Sequence, residues 1–114
     1  MPASNEEIAL DRLIHEPGRL AILTVLSSCQ SADFVFLQRI TGLTKGNLSS
    51  HLTKLEDGGL VRIEKRFVRK KPNTNVALTD RGRKGIENHW SQLERLREYS
   101  RVSREESQSG ALRP

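Results

Sequence analysis

Thr44-Lys45-Gly46-Asn47-Leu48-Ser49-Ser50-His51-Leu52-Thr53-Lys54-Leu55-Glu56-Asp57-Gly58-Gly59-Leu60-Val61, followed directly by Arg62-Ile63-Glu64-Lys65-Arg66-Phe67-Val68-Arg69-Lys70-Lys71, is the stretch that decides the fold. Thr44 can cap a helix by accepting from the orphan amides of its first turn. Leu48, Leu52 and Leu55 then recur at i, i+4 and i+7, which places them on one helical face. Gly58-Gly59 ends the element, because glycine takes the left-handed backbone that helix C-termini use. The opposite face holds Gly46, Asn47, Ser50, Thr53 and Lys54, with Ser49 at its flank and His51 at the core border. A merely solvated face favours Glu, Lys and Arg over such weaker helix formers. Small and amide-bearing side chains instead let a backbone approach a partner closely, as a major groove only about 12 Å wide demands.

The second half of the stretch is a ribbon. Leu60 to Lys65 alternates like a half-buried strand, and Asn75-Val76-Ala77-Leu78 reads as the returning strand. Between them Pro72-Asn73 supplies the turn signal. Six of the ten residues from Arg62 to Lys71 are Lys or Arg, against one acid, Glu64. A charge run alone is commonly a solvated loop. Directly after a helix with a small polar face, it points to phosphate contact.

Working outward, the fold class is mainly α with a small β-hairpin (α+β) and a long C-terminal helix. Ser4 with Glu7 forms a capping box for a first helix reaching Ile14. Pro17 suits the start of a second helix, with Leu20, Leu23 and Val25-Leu26 as its core residues. Gln30-Ser31-Ala32 reads as loop, Asp33 as the cap of a helix from Phe34 to Ile40, and Gly42 as a tight turn. Thr79 begins the final helix, on which Ile86, Trp90, Leu93 and Leu96 recur at i, i+4, i+7 and i+10. Residues 1–102 form one domain with terminal helices, and the polar, Ser-rich residues 103–114 read as a disordered tail.

Composition narrows the function. With 114 residues and a net charge of +5, this is one small domain suited to a polyanionic partner. Aromatic residues make up only 4%, so stacking platforms for single-stranded bases are few. Cys29 is the only cysteine, which excludes an intrachain disulfide and suits a reducing cytosol. No run is apolar enough to span a membrane, and residues 1–7 lack a signal-peptide hydrophobic stretch.

Leu43-Thr44, Asn47 to Leu52 and Leu55 to Val61 together resemble the winged helix-turn-helix of bacterial and archaeal repressors, in particular small single-domain ArsR/MarR-like regulators. His15-Glu16-Pro17-Gly18-Arg19-Leu20 is similar to their opening segment, and Leu78-Thr79-Asp80-Arg81-Gly82 to their step into the last helix. The likeness covers about residues 8 to 95. It implies a cytoplasmic prokaryotic protein, at the nucleoid when bound, that represses transcription from double-stranded DNA as a homodimer. The recognition helix, about 44–57, enters the major groove, with Lys45, Asn47, Ser49, Ser50 and His51 near base edges. Asn47 is the best single reader, since an amide can pair with adenine through two bonds. Thr44, Lys54 and the wing of about 62–75, through Arg66, Arg69, Lys70, Lys71 and Asn73, take phosphates or a minor groove. An exposed apolar stripe is best hidden by its twin, which makes Leu10, Leu13, Ile86, Trp90, Leu93 and Leu96 the expected dimer interface.

Other functions find little support. His15, Cys29, His51 and His89 show no ligand spacing, so neither a metal nor another cofactor is expected. No Gly-rich phosphate loop, HExxH or nucleophile elbow suggests an enzyme, and there are no candidate catalytic residues. Nothing identifies a small-molecule effector. A winged helix that docks an acidic protein or binds RNA by shape is the alternative, because one fold hosts several functions.

Overall fold

A computed structural model describes residues 10–110. Among them the order is α1 (Pro17–Ser27), β1 (Ala32–Asp33), α2 (Phe34–Thr41), α3 (Lys45–Asp57), β2 (Val61–Val68), β3 (Lys71–Leu78) and α4 (Asp80–Gly110). Helices α1, α2 and α3 pack around one apolar core that the antiparallel sheet and the start of α4 close. This is the winged-helix architecture, with one strand more than the hairpin expected.

The extra strand is β1. Ala32 and Asp33, which read as loop and cap in the sequence, pair with Val76 and Asn75 to give the sheet order β1-β3-β2. Two residues carry no periodicity, so only the open edge of β3 makes them a strand. Asp33 nevertheless caps α2 as expected, its carboxylate accepting from the Phe36 amide at 2.8 Å.

The hairpin closes at Arg69-Lys70 and not at Pro72-Asn73. Its register runs from Val61 opposite Leu78 to Val68 opposite Lys71, which sets Ile63 against Val76. Closure at Pro72-Asn73 would slide these apolar partners apart. Pro72 is tolerated inside β3 because β1 covers only Val76 and Asn75 and leaves the distal edge open.

Thr44 caps α3 by accepting from the Asn47 amide at 3.1 Å. Leu48, Leu52 and Leu55 are at most 3% exposed, so the leucine stripe is the core face. The C-terminus closes through Gly59, left-handed at φ 76°, and a 2.9 Å bond from the Leu60 amide to the Leu55 carbonyl. The Leu-Thr-x-x-Gly step also has a physical basis. Thr79 Oγ1 donates to the Gly59 carbonyl at 2.6 Å and accepts from the Gly82 amide at 2.9 Å, tying the end of α3 to the start of α4. At Gly82 a Cβ would overlap the Leu60 carbonyl, so this close approach needs glycine.

The chain termini depart from expectation. The Ser4-Glu7 capping box lies outside the described residues. From Arg12 to Ile14 the chain is a turn, not the end of a helix. The Asp11 carboxylate accepts from the Leu13 amide at 2.8 Å, and Arg19 Nε donates to the Leu13 carbonyl at 2.6 Å. Pro17 disfavours helical backbone at Glu16, which is extended and caps α1 through the Arg19 amide. At the other end α4 runs to Gly110, through part of the tail expected to be disordered. Arg101 pairs there with Glu98 and with Glu105, the latter at 3.0 Å, and such i,i+3 and i,i+4 pairs support an exposed helix.

Candidate nucleic-acid interface

Helix α3 projects Lys45, Asn47, Ser49, Ser50, Thr53 and Lys54 outward as exposed side chains, since the three leucines take the core face. Its first amides have no partner within the helix, so a partial positive charge adds to Lys45 at that end. Thr44 is exposed too, its oxygen engaged as the cap.

The wing stands beside this face. Lys45 and Ser49 share a groove of about 330 Å3 with Phe34, Val35, Pro72, Asn73 and Thr74. An adjoining hollow of about 210 Å3 sets Ser49 and Thr53 against Ile63, Lys65 and Thr74. The polar helix face and one face of the β2-β3 ribbon therefore form two walls of a single channel.

Strand alternation decides which cations face that channel. Val61 and Ile63 face the core, so Lys65 and Phe67 continue on the α3 side, opposite Thr74 and Pro72. Arg66 has the other parity. Its Nε donates to Asn73 Oδ1 at 3.3 Å, its guanidinium lies 3.7 Å from Glu64, and it lines a separate hollow with Val68, Asn75 and Cys29. Arg66 and Asn73, both expected at phosphates or in a minor groove, form a cross-strand pair, and Asn73 also lines the groove that Lys45 and Ser49 share. Lys65 is absent from the residues expected at the interface, although the period-2 pattern starting at Val61 marks its side. Arg69, Lys70 and Lys71 are exposed at the tip, and both Arg69 (φ 53°) and Lys70 (φ 66°) are left-handed.

His51 does not belong to the exposed face. Its Nδ1 lies 3.2 Å from an Arg19 guanidinium nitrogen, its Nε2 lies 3.7 Å from Glu16, and its side chain is 16% exposed. A Cβ on Gly18 would come within 2.6 Å of the ring, so glycine in α1 lets the imidazole pack there. Burial alone would raise the Glu16 carboxyl pKa, but the Arg19 amide and the His51 and Arg19 charges outweigh it and hold the group below its usual range. His51 thus fastens α3 to the N-terminus of α1, and is a brace where a base reader was expected.

The expected dimer stripe divides in two. Ile86 is 0% exposed and belongs to the core of its own chain, in one apolar cluster with Leu60 and Ile14. Leu13 packs against Gly58 of the same chain and is half-buried, as is Leu10. Trp90 and Leu96 remain exposed, with Leu93 half-buried between them and Tyr99 and Val102 further along.

Two histidines that the sequence leaves 74 residues apart meet on α4: His15 Nδ1 is 3.2 Å from His89 Nε2. His89 is 1% exposed and its Nδ1 has no hydrogen-bond partner. Burial lowers its pKa, the His15 charge lowers it further, and Asp11 opposes both. Among the described residues no group of three His, Cys, Asp or Glu is arranged to hold a metal ion.

Residues 19–97 match the family described as the winged helix DNA-binding domain. The solved structure of a transcriptional regulator homologue from Pyrococcus horikoshii superimposes with a TM-score of 0.75 at 32% identity, over 84% of this chain and 95% of that one. The HTH-type transcriptional regulator YgaV of Escherichia coli is 36% identical over 59 residues, which cover 52% of this chain and 60% of the relative. A MarR-family regulator from Silicibacter pomeroyi shares the fold with a TM-score of 0.61 at 20% identity, over 89% of this chain and 75% of its own.

Proposed function

We propose that this chain, which belongs to the winged helix DNA-binding domain family of transcriptional regulators, binds a specific duplex operator as a homodimer and represses by occupying it. Helix α3 enters the major groove, where Asn47 reads a base edge and Lys45, Ser49 and Ser50 sit close enough to assist. Thr44 and Lys54 meet flanking phosphates. Lys65, Arg69, Lys70 and Lys71 hold the wing on the backbone or in the adjacent minor groove. One observation carries this reading: Lys45 and Ser49 share a channel wall-to-wall with Pro72, Asn73 and Thr74 of the ribbon. With α3 in the major groove and the wing at the adjacent minor groove, the sugar-phosphate strand between the two grooves would lie along this channel and be gripped from both sides.

The second copy docks on α4. That helix has 31 residues, about 46 Å at 1.5 Å per residue, far more than its winged domain can cover. Its exposed turns carry Trp90 and Leu96, and a twin would cover these with Leu93. Two-fold symmetry then calls for a pseudo-palindromic operator with half-sites about 34–36 Å apart, or a multiple of that spacing. Selection of bound genomic fragments followed by footprinting tests the whole proposal. Enrichment of a two-fold motif with a specificity ratio of about 10³ or more over bulk duplex is expected. Uniform weak binding to all fragments would refute it.

A further inference from the structure

Phe67 is out of place in a ribbon whose exposed positions, Val68 and Pro72 apart, are charged or polar. It is 74% exposed, more than any other large apolar side chain among the described residues. Its cross-strand neighbour is Pro72, too small to cover a phenyl ring. It shares a strand face with Lys65, the channel side, and lies two residues, about 7 Å, below the Arg69-Lys70 tip. Exposed cations stand to either side of it along the ribbon: Lys65 on its own strand face, and Arg69 and Lys70 at the tip.

A surface with an apolar ring inside a cationic collar fits a partner that is anionic at its rim and apolar within. A duplex minor groove has that chemistry, with phosphates at its edges and sugar and base faces on its floor. An acidic protein offers the rim without the regular floor. We infer that Phe67 is a wedge that enters the minor groove flanking each half-site and partly unstacks the base step it meets. The inference rests on the duplex-binding reading above and adds a selectivity to it. Wedging is easiest at flexible pyrimidine–purine steps, so Phe67 makes the flanking sequence matter although no side chain there reads a hydrogen-bonding edge. Its contribution is apolar and leaves the number of counterions released unchanged.

The test compares wild type, Phe67→Ala, Phe67→Leu and Lys70→Ala on the selected operator, with TA or an A-tract placed at the flank. Phe67→Ala should weaken binding roughly tenfold on the TA-flanked site, the scale of removing one aromatic ring from a base, without altering the salt slope. Preference for TA over the A-tract should vanish, and Phe67→Leu should restore most of it. Lys70→Ala should do the opposite, lowering the salt slope while keeping the flank preference. A 2-aminopurine at the flanking step should brighten on binding wild type and stay dark with Phe67→Ala. If Phe67→Ala keeps full affinity, flank preference and the fluorescence rise, the wedge is overturned while operator recognition stands. If wild type selects no operator, the duplex-binding reading has failed. Loss of binding to an acidic peptide or anionic vesicles, with DNA affinity intact, would also overturn the wedge in favour of another partner.

Discussion

Replacing Arg69-Lys70 with Asn-Gly should strengthen the fold and weaken its grip on DNA at once. Both residues hold positive φ, 53° and 66°, in a two-residue turn that elsewhere selects Asn-Gly. An ordinary L-residue held left-handed costs about 1–2 kcal/mol; glycine escapes that cost and asparagine escapes much of it. The double replacement should therefore add about 2 kcal/mol to folding. In a domain of this size each kcal/mol raises the melting midpoint by about 4–8 °C, so a rise of roughly 8 °C or more is expected. Relief of repulsion among the cations from Arg62 to Lys71 acts in the same direction. Binding moves the other way. Every phosphate that the protein no longer neutralises reduces the slope of log K against log salt by about 0.9, so removing two cations per protomer should flatten it by nearly 2 for each half-site. Urea titration reads the first effect and salt-titrated anisotropy on the operator reads the second. An unchanged midpoint would show that the turn stores no strain. An unchanged slope would show that the tip meets no phosphate, and the wing would leave the mechanism.

Asn47→Ala should lower discrimination against a wrong base by about 1–3 kcal/mol while leaving stability near wild type, as a competition assay with single-base operator variants would reveal. Leu96→Glu, on an exposed stretch of α4, should halve the mass seen by sedimentation without unfolding the winged domain; a persistent dimer would place the interface elsewhere. Gly82→Ala should cost about 2–3 kcal/mol, since the new methyl group meets the Leu60 carbonyl, and a wild-type urea midpoint would contradict this packing. Burial lowers the pKa of His89 in the fold below its unfolded value near 6.5, so its neutral form contributes full stability above that pH. That contribution is lost as pH falls from about 6.5 toward the folded value, and His89→Leu should shrink the difference in melting temperature between pH 7.5 and 5.5.

Much of the fold was legible because it is written in local chemistry. The leucine stripe of α3, the caps at Asp33 and Thr44 and the Gly58-Gly59 stop each act within a few residues, so spacing alone reveals them. The polar face of α3 followed as the complement of the leucines. His51 shows where that reasoning stops. Helical spacing put it at the core border, but only Arg19 and Glu16, more than thirty residues away, hold it there. Ile86 and Leu13 misled in the same manner, since an apolar residue does not state whose surface it will cover.

By itself, then, the sequence determined the helices between Pro17 and Asp57, the caps at Asp33 and Thr44, the basic ribbon and the small polar face, because these depend on neighbours along the chain. Tertiary structure alone decided that β1 exists, that the ribbon turns at Arg69-Lys70, which wing face lies against α3, and that His15 meets His89. Strand register and helix docking cause the difference. Both are fixed by the packing of distant segments, and a slip of one residue would send every ribbon side chain to the opposite face.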